Sequence, residues 1–255
     1  MNHRTLAILA ALCAIAPAAN AEETLTLGAV GNYRSSAYRA YDDSWAALPY
    51  IHYNGTHTYI NGSSAGVKLY RSDDESQEIL LGLDYLEQHY KPGKSNDPQL
   101  RQLNQRRRSL DATLQYHLYT PYGHIHGGVA HDISGHSKGS QITAAYSYPW
   151  QLSEQITLSP SIGATYRDHK HNRYYYGISA AEAATSGLAT YDAKAGITPH
   201  LGLGARIRLT PQLSAVADLR VEHLDKAAAD SPMNERKTEY QGSVGVVYQF
   251  NRRPK

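Results

Sequence analysis

The feature that most constrains this chain is a two-residue rhythm that runs almost to its C-terminus. From Tyr240 to Phe250, one side of an extended strand carries Tyr240, Gly242, Val244, Val246, Tyr248 and Phe250, and the other carries Gln241, Ser243, Gly245 and Gln249. Only Val247 breaks the polar row. Side chains alternate across a strand, so an apolar face is backed by a polar one. The same make recurs upstream. Leu110, Ala112, Leu114, Tyr116 and Leu118 oppose Asp111, Thr113, Gln115 and His117, and Ile156, Leu158, Ile162, Ala164 and Tyr166 oppose Thr157, Ser159, Ser161, Thr165 and Arg167. Between 192 and 222, Lys194, Arg206, Arg208, Asp218, Arg220 and Glu222 fall opposite rows of alanine, leucine, isoleucine and valine. Apolar outside, polar inside and aromatic residues at the interfaces is the pattern of a transmembrane β-barrel. The expected fold is therefore all-β, an antiparallel barrel closed by the strand that ends at Phe250.

The composition agrees. Tyrosine is 21 of 255 residues against one phenylalanine and two tryptophans, which suits an interfacial belt better than a packed core. Mean hydropathy is −0.53, and past the N-terminus no run reaches the roughly 20 apolar residues of a spanning helix. A net charge of +2 predicts nothing about nucleic acid, and with no basic helix or zinc spacing no nucleic-acid partner is expected. Residues 1–21 read as a secretory signal, with Arg4, an apolar centre from Leu6 to Ala16, and a cleavage site at Ala19-Asn20-Ala21. Cys13, the only cysteine, follows Leu12 rather than the small residue that lipid modification needs. The expected organisation is signal 1–21, barrel 22–250 and a basic tail 251–255.

Strand parity sets the count. With Asn61-Gly62 as a hairpin turn there are twelve strands, and ten is the next count the pattern allows. With twelve, the long segments (34–45, 91–108, 171–190 and 225–237) lie on one side and the short links, such as Asn54-Gly55 and Thr120 to Gly123, on the other. Bacterial barrels have even strand numbers, short periplasmic turns and long outer loops. The 91–108 segment reads as a loop with no core of its own. Ser179 to Glu182 forms a capping box and Gly187 is placed to end a helix, so a short helical turn is expected in the longest outer loop.

That loop also carries a resemblance. Tyr175-Tyr176-Gly177-Ile178, Glu182-Ala183, Ser186-Gly187-Leu188 and Tyr191-Asp192-Ala193 resemble the signature of the MipA/OmpV family of outer-membrane proteins. Leu48-Pro49, Gly66 to Tyr70 and the loop from Gln99 to Arg108 extend it over nearly all of the mature chain. The resemblance implies a barrel in the outer membrane of a Gram-negative bacterium, in contact with lipid including lipopolysaccharide. It also implies a scaffold that links a periplasmic murein lytic transglycosylase to a penicillin-binding murein synthase in peptidoglycan assembly. Small-solute channel and surface adhesin are the alternatives. The tail after Phe250 departs from the pattern, and its Arg252, Arg253 and Lys255 offer a periplasmic contact by charge.

No catalytic residue, metal or cofactor is expected. His124 with His126, and His169 with His171, are each only two potential ligands where a site needs three or four. His131, Asp132 and Ser134 lie near a rim, but nothing in the sequence fixes a nucleophile beside a base. Asp111, Lys194, Arg206, Arg208, Asp218, Arg220 and Glu222 are expected to pair as a ladder inside a filled barrel. Arg106 to Arg108 are candidates for gripping lipid phosphates at the outer surface.

Overall fold

A computed structural model describes residues 23–251, so the signal at 1–21 and the cations at 252–255 lie outside the described residues. The strands in chain order are β1 Thr24–Arg34, β2 Ser44–Asn54, β3 Thr58–Asn61, β4 Ser64–Arg71, β5 Gln77–Leu86, β6 Ser109–Thr120 and β7 Gly123–Asp132. They continue with β8 Ser140–Ser147, β9 Trp150–Gln151, β10 Ile156–Arg167, β11 Gly196–Arg208, β12 Leu213–His223 and β13 Thr238–Asn251. Each pairs antiparallel with its neighbour, and β1 pairs with β13 from Thr24↔Asn251 to Arg34↔Gln241, which closes the sheet. β8 and β9 are two pieces of one stave, both paired with β10. The protein is a closed twelve-stranded antiparallel barrel, its strands joined by short turns on one side and long loops on the other.

Burial is inverted relative to a soluble protein. Leu27, Leu114, Val129, Ile162, Leu201, Leu203, Val244 and Val246 are exposed, whereas Thr26, Asp111, Thr113, Thr165, Thr198, Ser214 and Glu222 are buried. The apolar faces point outward to lipid and the polar faces inward. Near the loop side Tyr33, Trp45, Tyr166 and Tyr240 face outward. Near the turn side Tyr53, Tyr146, Tyr248 and Phe250 do so. These are the two aromatic girdles.

Strand prolines stand where a ladder bond is missing, as their lack of an N–H demands. Pro160 faces the break between β8 and β9, where only Tyr148 N reaches its carbonyl at 3.1 Å. Pro199 precedes the start of the β11–β12 ladder at His200↔Glu222. Pro49 lies on the part of β2 that β3 does not reach. Asn61-Gly62 turns the β3–β4 hairpin, with Gly62 at φ +58, a conformation that suits glycine. After Lys68 a bulge displaces Leu69, so Tyr70 rather than Leu69 pairs with Ile79. β2 begins at Ser44, inside the segment 34–45 expected to be loop, and its outward face is Trp45, Ala47, Pro49, Ile51 and Tyr53.

Candidate functional site

Among the described residues three short α-helices stand in the outer loops: α1 His169–Tyr176, α2 Ala180–Ser186 and α3 Lys226–Ala229. Each is capped by a side chain that the sequence supplies just before it. Asp168 accepts from His171 N, Ser179 from Glu182 N and Asp225 from Ala228 N. α2 has the full capping box and ends at Gly187 in the left-handed conformation (φ 72). α1 was not anticipated, because His169 to Tyr176 has no apolar stripe at helical spacing.

The outer loops share one core. Ala37 and Tyr38 come from the loop at 35–43, Tyr90, Leu100 and Leu103 from that at 87–108, Tyr175, Tyr176, Ile178 and Ala193 from that at 168–195, and Leu224, Ala228 and Met233 from that at 224–237. This corrects the reading of 91–108 as a loop without a core. Chain that is polar on average still buries its few large side chains when four loops supply a few each. Tyrosine serves because its ring packs while its hydroxyl bonds a loop carbonyl that would otherwise be orphaned. Tyr38 donates to Tyr175 O (3.1 Å), Tyr90 to Leu100 O (2.5 Å), Tyr175 to Arg107 O (3.1 Å) and Tyr191 to Ala227 O (2.8 Å). Burial raises the hydroxyl pKa of Tyr38, Tyr175 and Tyr176, and that of Tyr90 to about 12, so all stay neutral; Tyr38, Tyr90 and Tyr175 donate, while Tyr176 accepts from Gln88 Nε2 (2.9 Å).

One ion pair fixes the 87–108 loop to the 168–195 loop. Arg106 donates to Glu182 at 2.8 Å, and the same guanidinium reaches Gly177 O at 2.9 Å and Asn104 O at 3.1 Å. Both charges are nearly sealed from solvent. Arg106 is therefore an internal tie and not a lipid-phosphate contact, while Arg107 and Arg108 are exposed. The signature residues hold this cap together: Tyr175 and Tyr176 fill it, Gly177 and Glu182 receive Arg106, and Ser186 Oγ donates to Glu182 O (2.7 Å). Leu188 packs on the core. Asp192 joins His169 (2.6 Å) and Lys194 on the surface, where hydrogen bonds from Lys194 and His169 lower its pKa to about 2.

Beneath the cap the expected ladder is only partly assembled. Glu222 binds Arg220 (2.7 Å) and Arg167 (3.2 Å); Arg167 belongs to the same charged face but was not among the residues singled out. Asp111 is buried and accepts from Ser109 Oγ (2.7 Å) and Gln141 (3.4 Å) rather than from a cation. Asp218 and Arg206 face the lumen without an ion pair among the described residues, and Arg208 reaches Glu154 O at the turn side. Lys194 lies outside the lumen altogether. β11 starts at Gly196, two residues later, because Ala193 is drawn into the cap core.

The histidines hydrogen-bond and stack. His117 Nδ1 meets His124 Nε2 at 3.0 Å with rings nearly parallel, and His126 stacks beside them. Among the described residues no group of three or more His, Cys, Asp or Glu is arranged to hold a metal. Ser134 Oγ donates to Asp132 (2.5 Å); His136 Nδ1, 3.1 Å away on its other side, carries a proton that it donates to Arg108 O (2.8 Å) and so cannot accept one from Ser134, while His131 bonds Ser140.

A closed barrel with a lipid-facing apolar band, two aromatic girdles and long loops on one side is a bacterial outer-membrane protein. A family model described as MltA-interacting protein MipA matches residues 27–250, and the chain belongs to that family. It is 28% identical over 247 residues to the MltA-interacting protein of Escherichia coli (strain K12), covering 97% of this chain and 98% of the relative. The E. coli K12 outer-membrane protein YiaT is likewise 28% identical, over 248 residues, 97% of this chain and 99% of the relative. Among solved structures, the NanC porin has a TM-score of 0.45 at 9% identity, covering 87% of this chain and 98% of its own. An outer-membrane channel of Pseudomonas putida F1 has a TM-score of 0.46 at 9% identity, covering 92% and 100%.

Proposed function

We propose that this outer-membrane barrel is a non-enzymatic scaffold with periplasmic partners, holding a murein lytic transglycosylase beside a penicillin-binding murein synthase. The observation that carries the reading is the match, over almost the whole of both chains, to a protein named for interacting with MltA. The cap supports it from the other side, since a mouth crossed by a shared loop core suits a scaffold better than a solute channel. Partners in the periplasm meet the turns at 55–57, 72–76, 121–122, 152–155 and 209–212, and the two chain ends. These offer far less than the roughly 800 Å² per partner of a standard interface, so capture is weak and salt-sensitive through Arg252, Arg253 and Lys255.

The test is capture from solubilised envelopes at low and high salt with three baits. The first is unchanged, the second carries glutamate at 252, 253 and 255, and the third carries Ala181→Glu and Ala184→Glu on the exposed side of α2. Capture of a transglycosylase by the first and third, weakened in the second and by salt, is the expected result. If the α2 variant loses capture while the tail variant keeps it, binding occurs at the cell surface and the scaffold reading fails.

A further inference from the structure

The β3–β4 hairpin is too short for the wall it belongs to. β2 pairs with β1 along its full length but with β3 only at His52, Tyr53 and Asn54. One more bond, Gly62 N to Ile51 O at 3.1 Å, fixes which way β2 points its backbone. Alternation along the strand then turns the backbone groups of Trp45, Ala47 and Pro49 toward the same side, where no strand lies opposite. Pro49 supplies no N–H to that open edge. The wall thus has a notch in its loop-side half, above the hairpin tip where both β3 and β4 stop and just below the girdle residue Trp45.

The notch opens both faces of β2. Residues 44–49 are all exposed. Leu48 is 40% exposed although its pairing with Val30 places it on the lumen face, where Asp111, Thr165, Thr198 and Glu222 of other strands are buried. An open strand edge facing hydrocarbon is not sustained unless something covers it.

The far flank of the notch is cationic. Tyr85 on β5 touches the hairpin tip through its N–H to Ser63 O (3.2 Å), and Arg108 lies over its ring at 5.9 Å. Burial lowers the pKa of the nearby His89, and the charges of Arg108, Lys91 and Lys94 add to the effect. All three cations are exposed, and none has a carboxylate partner among the described residues. Cations at the outer rim beside an apolar notch at hydrocarbon depth match one chemistry: a phosphate head on an acyl tail, supplied from the outer leaflet.

We propose that this flank binds lipid A, the phosphorylated and multiply acylated anchor of lipopolysaccharide, with a phosphate on Arg108, Lys91 and Lys94 and one acyl chain in the notch. The chain covers Pro49 and Leu48, while water on the lumen side satisfies the edge amides and carbonyls.

Cysteine labelling tests this. In the full barrel carrying Cys13→Ser, Leu48→Cys reports the notch and Asp218→Cys reports the lumen away from it. In detergent, a charged maleimide is expected to label both. Added lipid A should slow labelling of the Leu48→Cys variant about tenfold while leaving that of the Asp218→Cys variant unchanged. Dephosphorylated lipid A and phosphatidylglycerol should not protect. Arg108→Glu, or Lys94→Glu if the first does not show the heat-modifiable mobility of a folded barrel, should raise the lipid A needed for half-protection about tenfold, as loss of a charge-assisted bond implies. An unreactive thiol at position 48, no protection, protection indifferent to these charge variants, or equal protection by phosphatidylglycerol would each overturn the proposal.

Discussion

Glu182 is the residue on which the cap turns. Its carboxylate accepts from Ser179 N (3.0 Å) and Ser179 Oγ (2.8 Å) in its own helix, from Asn104 N (3.0 Å), and from Arg106 (2.8 Å). Burial alone would raise its pKa. The hydrogen bonds from Ser179 and Asn104 and the charge of Arg106 outweigh that and hold it below the ordinary value of 4.5. A carboxylate with a lowered folded pKa contributes stability above its unfolded pKa and loses it as pH falls through the folded one. The cap is therefore expected to loosen only once the pH falls below the ordinary glutamate range, seen as protease cleavage within 168–195 while the strands stay resistant. Arg106→Ala leaves a buried charge unpaired, which costs ~3–5 kcal/mol when one partner of such a pair is removed. The same cleavage should then occur at neutral pH, with barrel mobility on gels unchanged. If the variant cap resists protease as the parent does, the pair does not hold the loops.

Along the strands the alternation makes a sharper claim. Leu114, Ile162, Leu203 and Val244 are 44%, 58%, 45% and 61% exposed and face lipid, whereas Ser243 sits opposite Asp218 on the inner face. Arginine at any of the four is expected to cost ~2–4 kcal/mol near the midplane. Ser243→Arg should cost much less, because Asp218 is there to pair with it. Urea titration of the folded barrel in vesicles checks this, and equal losses on both faces would mean the facing is wrong. That facing was legible in the sequence because a period of two repeats over strands of about ten residues, and the strand number followed from Asn61-Gly62 and loop parity. The helix of the signature loop was legible too, since Ser179, Glu182 and Gly187 act locally. What was not legible depends on partners distant in sequence. The tie from Arg106 to Glu182 spans loops that meet only once the barrel has closed, so a run of three arginines gave no sign that its first member is buried. Lys194 fitted the strand rhythm, but Ala193 beside it is claimed by the cap core, which delays the strand to Gly196. Arg167 lay on the charged face in plain view. Its importance comes from Glu222, which β12 brings to within 3.2 Å.

The barrel and the cap together form a chamber whose outer mouth is crossed by the shared loop core. Below the shared tyrosine core, Tyr176 meets Gln88 (2.9 Å) and Arg167 and Arg220 converge on Glu222. Polar side chains of both signs thus project into the outer half of the lumen beneath the cap, as the interior of a narrow barrel is ordinarily filled. An ion entering from the turn side would have to part that network and then the cap above it. Purified protein in planar bilayers is therefore expected to carry little steady current. Arg106→Ala should raise the frequency of brief openings, because it unties the 87–108 loop from the 168–195 loop without altering any strand. Removing the charge of Glu222 as well, as Glu222→Gln, should lengthen them by freeing Arg167 and Arg220 from their shared anchor. Large, reproducible steps from the unaltered protein would show that the loop core does not close the mouth. Silence from all three would place the barrier lower in the lumen, among the stacked His117, His124 and His126.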